Sequence, residues 1–215
     1  MRVLVGIFLL ITWVCCGCVS KTNGADKPVE NVVCQNVVDT ISINAEDSAA
    51  VFVNEKPLVR EHCFIVVSKK ELTLSVYEAR GNDTVRIAVF DCCLGKNFGD
   101  KQKRGDMKTP ESTLHNPFKI RSIESSSWWT HDFGDGRGSI KAYGNWFMRL
   151  SSPFTGIGIH GSTNNEKSVP GRQSEGCIRL RDDDIETLKS EYAFVGMKVI
   201  VKGEDEGKLP FEKSL

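Results

Sequence analysis

The residues best suited to chemistry lie in two short segments, Ile157-Gly158-Ile159-His160-Gly161-Ser162 and Ser174-Glu175-Gly176-Cys177-Ile178-Arg179-Leu180. In each, isoleucines and glycines flank one reactive side chain, which predicts a strand ending on His160 and another starting at Cys177. A free thiol is mostly protonated at neutral pH. An imidazole beside it can take the proton, and the resulting cation stabilises the thiolate, so the pair suits attack on an acyl carbon. Gly176, directly before Cys177, is expected to leave backbone N–H groups open to the oxyanion of a tetrahedral intermediate. A lone Cys at a strand start is more often core than nucleophile, and a lone His more often meets a hydrogen-bond partner. The two motifs together carry the reading.

Such segments need a scaffold, and the surrounding pattern is one of strands. Residues 63–67 form a β-branched run. Leu72, Leu74 and Val76 then alternate with Thr73, Ser75 and Tyr77 beyond a polar Ser68-Lys69-Lys70-Glu71 turn, which reads as a β-hairpin. Gly81-Asn82-Asp83 supplies turn chemistry before a strand over 85–92 with Val85, Ile87 and Val89 on one face. Further strands are expected over 146–151, 156–160, 177–180 and 198–201. One helix is expected, with Asp183 as N-cap, Glu186 completing a capping box, and Ile185, Leu188 and Tyr192 on one face. Residues 31–62 are ambiguous, 44–53 being readable as a short helix that Pro57 breaks. The expectation is a mainly β domain over 63–202, a sandwich or open barrel with one or two short helices, followed by a tail over 203–215.

With 215 residues, 40% of them hydrophobic, the chain can bury one respectable core. Basic and acidic residues balance at 28 each, so no global field favours nucleic acid. Arg2 precedes an uncharged apolar run over 3–14 and then Cys15, Cys16, Gly17 and Cys18, the shape of a secretory signal and too short to span a bilayer comfortably. Residues 1–18 are therefore read as a leader, and 19–62 as a polar tether and lead-in. Past the leader stand Cys34, Cys63, Cys92, Cys93 and Cys177, an odd set that leaves at least one thiol free. Cys177 is the candidate for it. The other four allow three pairings or stay reduced. No CxxC spacing follows the leader, and neither His115 nor His131 has ligand spacing to nearby aspartates, so no metal is expected.

The two catalytic segments closely resemble the motif of L,D-transpeptidases, the YkuD-like family: a His, a loop, then Ser-x-Gly-Cys followed two residues later by Arg or Asn. His160, Ser174, Gly176, Cys177 and Arg179 match it position by position. The resemblance extends to the hairpin over 64–77, to Thr109-Pro110-Glu111-Ser112 as the family's Thr-Pro-Glu-Gly turn, and to the strand over 143–150. Two residues depart from the pattern: Ser112 stands where Gly is usual, and Glu175 where the best-known members have His. A carboxylate pointing inward would raise the Cys177 pKa. Neighbours in an extended segment face opposite ways, so Glu175 need not touch the thiol. Gly17-Cys18 similarly resembles a bacterial lipoprotein processing site with Cys18 as the lipidated residue.

The resemblance implies acyl transfer on peptidoglycan stem peptides, without a cofactor, on the periplasm-facing side of a bacterial envelope membrane. Cys177 would attack the carbonyl between the diamino acid at position three and D-Ala at position four, with His160 as base and then acid. The carbonyl of Gly161 would hold the imidazole, Arg179 would organise the site and meet a substrate carboxylate, and Ser174 would support the loop. Ser162 and the cluster Trp128, Trp129 and His131 are candidates for the substrate groove, the cluster reading equally well as a loop that caps the core. The same thioester given to water would make an L,D-carboxypeptidase. A catalytically silent envelope-binding module is the reading from another class.

Overall fold

The computed structural model describes residues 57–212. The leader with Cys18, the tether, Cys34 and the helix expected over 44–53 lie outside the described residues. Among the described residues there are twelve strands: β1 (Cys63–Ser68), β2 (Thr73–Arg80), β3 (Asp83–Asp91), β4 (Cys93–Gly95), β5 (Phe118–Ser125), β6 (Thr130–Asp132), β7 (Ser139–Lys141), β8 (Trp146–Leu150), β9 (Gly158–His160), β10 (Gly171–Ser174), β11 (Ile178–Arg179) and β12 (Lys198–Lys202). The single α-helix among the described residues, α1 (Asp182–Thr187), runs on into a wider turn over Leu188–Tyr192. The protein is mainly β, as its alternating runs require.

Ten strands make one mixed sheet in the order β10-β4-β11-β9-β8-β5-β12-β1-β2-β3, and β6 and β7 pair separately as a small hairpin. The sheet is open, with β10 and β3 at its edges. Strand period divides β1 between two clusters: Ile65 and Val67 enter the main core, whereas Phe64 and Val66 face the other way. That second face is covered by Leu209 and Phe211, the Phe211 ring meeting Phe64 and Tyr77 edge-on at 5.3 and 5.1 Å. The residues after β12 are thus packed on the sheet. In the main core Leu94, Met148, Ile159, Ile178 and Leu180 are fully enclosed, each contributing about 1.5–3 kcal/mol by leaving water.

Two local expectations need correction. Helix α1 begins two residues earlier than its sequence signal, with Arg181 at the N-cap position and no side-chain cap. Asp183 does not cap it, and Glu186 accepts from Asn145 Nδ2 (2.6 Å) and Trp146 Nε1 (2.8 Å) instead of closing a capping box. Three aspartates in the first turn supply the favourable charge at the helix start. At Ser112 the hydroxyl donates to Val199 O and accepts from Val201 N, both at 3.0 Å, so the side chain that replaces glycine is stitched into β12. Cys63, Cys92, Cys93 and Cys177 are all free thiols.

Candidate active site

The site is built where β9, β11 and β8 meet. β11 runs parallel to β9 with Ile178 opposite Ile159 and Arg179 opposite His160, while β8 runs antiparallel with Phe147 opposite His160. The isoleucines fill the core, and the intervening positions bring His160 and Arg179 side by side. His160 is 3% exposed. Its ring stacks on Phe147 at 5.4 Å and 10°, with Tyr143 at 4.9 Å.

His160 Nδ1 lies 2.6 Å from the carbonyl oxygen of Gly161. A carbonyl can only accept, so Nδ1 carries the proton and Nε2 keeps a basic lone pair. The Gly161 backbone is itself held, its N–H donating to Tyr143 O at 2.8 Å. A Cβ on Gly161 would lie 2.4 Å from Asp182 Oδ1 and 2.7 Å from the Gly144 Cα, so no side chain fits. Asp182, at the start of α1, accepts from Ser162 N at 2.7 Å and from the Thr163 hydroxyl, which pins the loop after the histidine. Burial, with the Arg179 cation as second cause, pushes the His160 pKa down to about 3. The imidazole is therefore neutral across the physiological range.

Cys177 sits on a tight turn between β10 and β11. Ser174 closes this turn: its buried hydroxyl donates to Cys177 O at 2.6 Å and accepts from Gly176 N at 3.1 Å. Gly176 has φ +134° and approaches Lys108 O so closely that a Cβ would lie 2.7 Å away. Its glycine identity is a steric need. Of the backbone N–H groups expected to be open at this turn, that of Gly176 is engaged by the Ser174 hydroxyl. The half-buried Cys177 thiol donates to Gly156 O at 3.2 Å. Burial raises its pKa, opposed by the Gly158 N–H, Arg179 and Lys101, and reinforced by Glu175.

One groove of about 360 Å³ gathers these groups. Of the residues singled out in the sequence, Cys177, His160, Arg179, Ser174, Trp129 and His131 line it. Gly161 and Gly176 act from behind through backbone geometry. Ser162 is fully buried with its hydroxyl unpartnered and does not line the groove, and Trp128 is 66% exposed outside it. Trp129 packs against Phe147 (5.4 Å) and Tyr143 (5.9 Å), so of the two tryptophans it is the one that meets the wall. Glu175 lines the groove along with Cys177, since the turn at Gly176 breaks the extended geometry on which strict alternation depends. Sequence reasoning missed Lys101, Met107, Tyr143, Phe147 and Arg149 as lining residues, and Phe133 joins Trp129 and His131 from the aromatic cluster. Phe147 and Arg149 lie two apart on β8, a period-two signal that was available. Lys101 and Met107 sit on turn-rich segments with no such period.

Arg179 is buried, and its guanidinium lies over the Phe133 ring at 5.2 Å. Its Nε has no hydrogen-bond partner, and among the described residues no carboxylate pairs with it. A thiol, a neutral imidazole with a fixed tautomer and an unmatched cation in one groove are suited to acyl transfer from a substrate that brings its own anion.

Residues 63–201 match the family described as YkuD, the L,D-transpeptidase catalytic domain, and the chain belongs to that family. No curated protein matches it. Among solved structures it is similar to an L,D-transpeptidase from Mycobacterium smegmatis, at 19% identity over 66% of this chain and 59% of that one, TM-score 0.48. It is also similar to Bd1075 of Bdellovibrio bacteriovorus, at 20% over 66% and 48%, TM-score 0.47. A third is the helical cell shape determining protein Pgp2 of Campylobacter jejuni, at 20% over 67% and 48%, TM-score 0.46. The chain spans roughly half of the length of these proteins.

Proposed function

We propose that the protein is a peptidoglycan L,D-transpeptidase that works through a thioester on Cys177. The observation that carries this reading is one groove lined by both a thiol and a buried imidazole whose Nδ1 proton is committed to Gly161 O. His160 Nε2 takes the thiol proton as Sγ attacks the carbonyl between the diamino acid at position three and D-Ala at position four. The oxyanion is met by the N–H of Cys177, the amide of the turn that Ser174 does not engage. The imidazolium then gives its proton to the leaving amine, and D-Ala departs. A stem-peptide amine attacks the thioester, loses a proton to His160 and regenerates the thiol.

In the free enzyme both partners are neutral, because burial disfavours the charged form of each. Arg179 opposes imidazolium formation and favours thiolate, and it supplies a cation for a substrate carboxylate. The reading extends to the envelope: residues 1–18 act as a leader, and Cys18 carries a lipid that tethers the domain on the periplasm-facing side of a membrane. Incubation with tetrapeptide muropeptides tests the reaction. Crosslinked 3-3 dimers are the expected product; bare tripeptides alone would make the protein an L,D-carboxypeptidase, and no D-Ala release would sink both. Intact mass of the mature protein tests the anchor.

A further inference from the structure

The charges on the groove wall are unequal. Lys101, Arg104, Arg149 and Arg179 line it as cations, and Glu175 is its one carboxylate. Two of the cations are already matched by protein, Lys101 by Asp106 at 2.7 Å and Arg149 by Glu124 at 3.1 Å. Arg179, 4% exposed with an orphaned Nε, is not, which is independent evidence that a charged ligand completes this groove. Glu175 is also poorly matched. Its nearest ion-pair partner is His131 Nε2 at 3.5 Å, too long for a good hydrogen bond, and the Glu175 side chain is 46% exposed.

A carboxylate two residues before a nucleophilic thiol works against the chemistry, since its field disfavours the thiolate. The burden disappears when a positive group settles on the carboxylate. Resting on the function proposed above, we propose that Glu175 is a specificity-determining residue that binds the free side-chain ammonium of the diamino acid in the donor stem peptide. The remaining cations of the groove repel an ammonium, so Glu175 is where one can be received. Its arrival cancels the negative field beside Cys177 as the acyl carbon is presented. Donor binding and thiol activation are thereby coupled through one carboxylate.

The test compares two tetrapeptide donors, one with the side-chain amine free and one with it N-acetylated, by D-Ala release from the purified protein, its Glu175→Gln variant and its His131→Gln variant. Wild type is expected to favour the free amine in kcat/KM by about five-fold, the size of a partly exposed charge pair. Glu175→Gln should lose its preference for the free-amine donor, and equal or exceed wild type on the acetylated donor, where wild type keeps the uncancelled carboxylate beside Cys177; that activity also reports that the variant is folded. His131→Gln should keep the preference. The inference is overturned if wild type releases D-Ala from both donors alike, if Glu175→Gln keeps the preference, or if it weakens both donors equally. If wild type releases D-Ala from neither, the proposed function fails and this inference with it.

Discussion

Two buried cations in this molecule have opposite surroundings. Lys69 is fully enclosed beside the sheet, and its Nζ is saturated: Glu111 at 2.7 Å, Glu204 at 3.4 Å, Gly99 O at 2.8 Å and Thr109 O at 3.3 Å. Arg172 joins by bonding Glu204 at 2.9 Å and Lys69 O at 2.7 Å, so the network clamps the segment between Gly99 and Glu111 to the residues after β12. Arg179 is buried to a similar degree but has an aromatic ring and, among the described residues, no carboxylate. Burying a charge is costly unless it is paired. Lys69 meets that demand within the fold, which marks it as structural. Arg179 leaves it open, which marks its surroundings as a place for a ligand.

Substitution should separate the two regions cleanly. The largest effect belongs to the groove: Cys177→Ala is expected to lower D-Ala release by about 10⁴-fold or more, with no acyl-enzyme by intact mass and an unchanged melting temperature. Any release near wild-type rates would assign the nucleophile elsewhere. Lys69→Met should act in the other direction, leaving Glu111 uncompensated and Glu204 held by Arg172 alone, at a cost of about 3 kcal/mol, visible as a melting temperature lower by roughly 10 °C. Arg179→Met should leave the melting temperature nearly unchanged, since it removes an unpaired charge, yet slow acylation by about 100-fold. A large loss of stability in Arg179→Met would erase the contrast.

The pH response sharpens the same point. Burial holds the folded His160 pKa near 3, below its ordinary value near 6.5, so the unfolded chain binds the proton more readily. Its share of stability is therefore whole above about pH 6.5 and is lost as pH falls from there toward 3. Acid melting curves of His160→Gln should be flatter over that window; equal slopes would mean that the imidazole is not buried neutral. Because the thiol is raised and the imidazole neutral, alkylation of Cys177 should climb with pH above neutrality instead of levelling near pH 6, as a preformed thiolate–imidazolium pair would. Arg179→Met should move that climb to higher pH, since the guanidinium favours the thiolate.

Much of this was legible in the sequence. The strands are legible because β1, β2 and β12 divide successive residues between the main core and the cluster with Leu209, which needs extended apolar runs, and the His-Gly and Ser-x-Gly-Cys segments are local enough to read directly. What stayed hidden depends on tertiary placement. Lys101 reaches the turn before Cys177, 3.4 Å from where a Gly176 Cβ would be, only because Asp106 folds the intervening loop back on it. Asp183 has the spacing of a cap, yet Asp182 is taken by the loop after His160 and Glu186 by Trp146. The side on which Glu175 lies follows from the φ of Gly176, which no pattern of residue types reports.

The two departures from the family pattern repeat the opening contrast on a smaller scale. Ser112 is buried, and its hydroxyl bridges Val199 O and Val201 N on β12, next to the residues that hold Lys69. Glu175 lies in the groove, half-exposed and loosely held. Restoring the usual glycine at 112 would leave a buried donor and acceptor without that bridge, at a cost of about 1–2 kcal/mol. Ser112→Gly should therefore lower the melting temperature by a few degrees and leave kcat/KM on a free-amine donor unchanged, the converse of Glu175→Gln. If Ser112→Gly altered donor preference, the turn over 109–112 would belong to the groove rather than to the clamp.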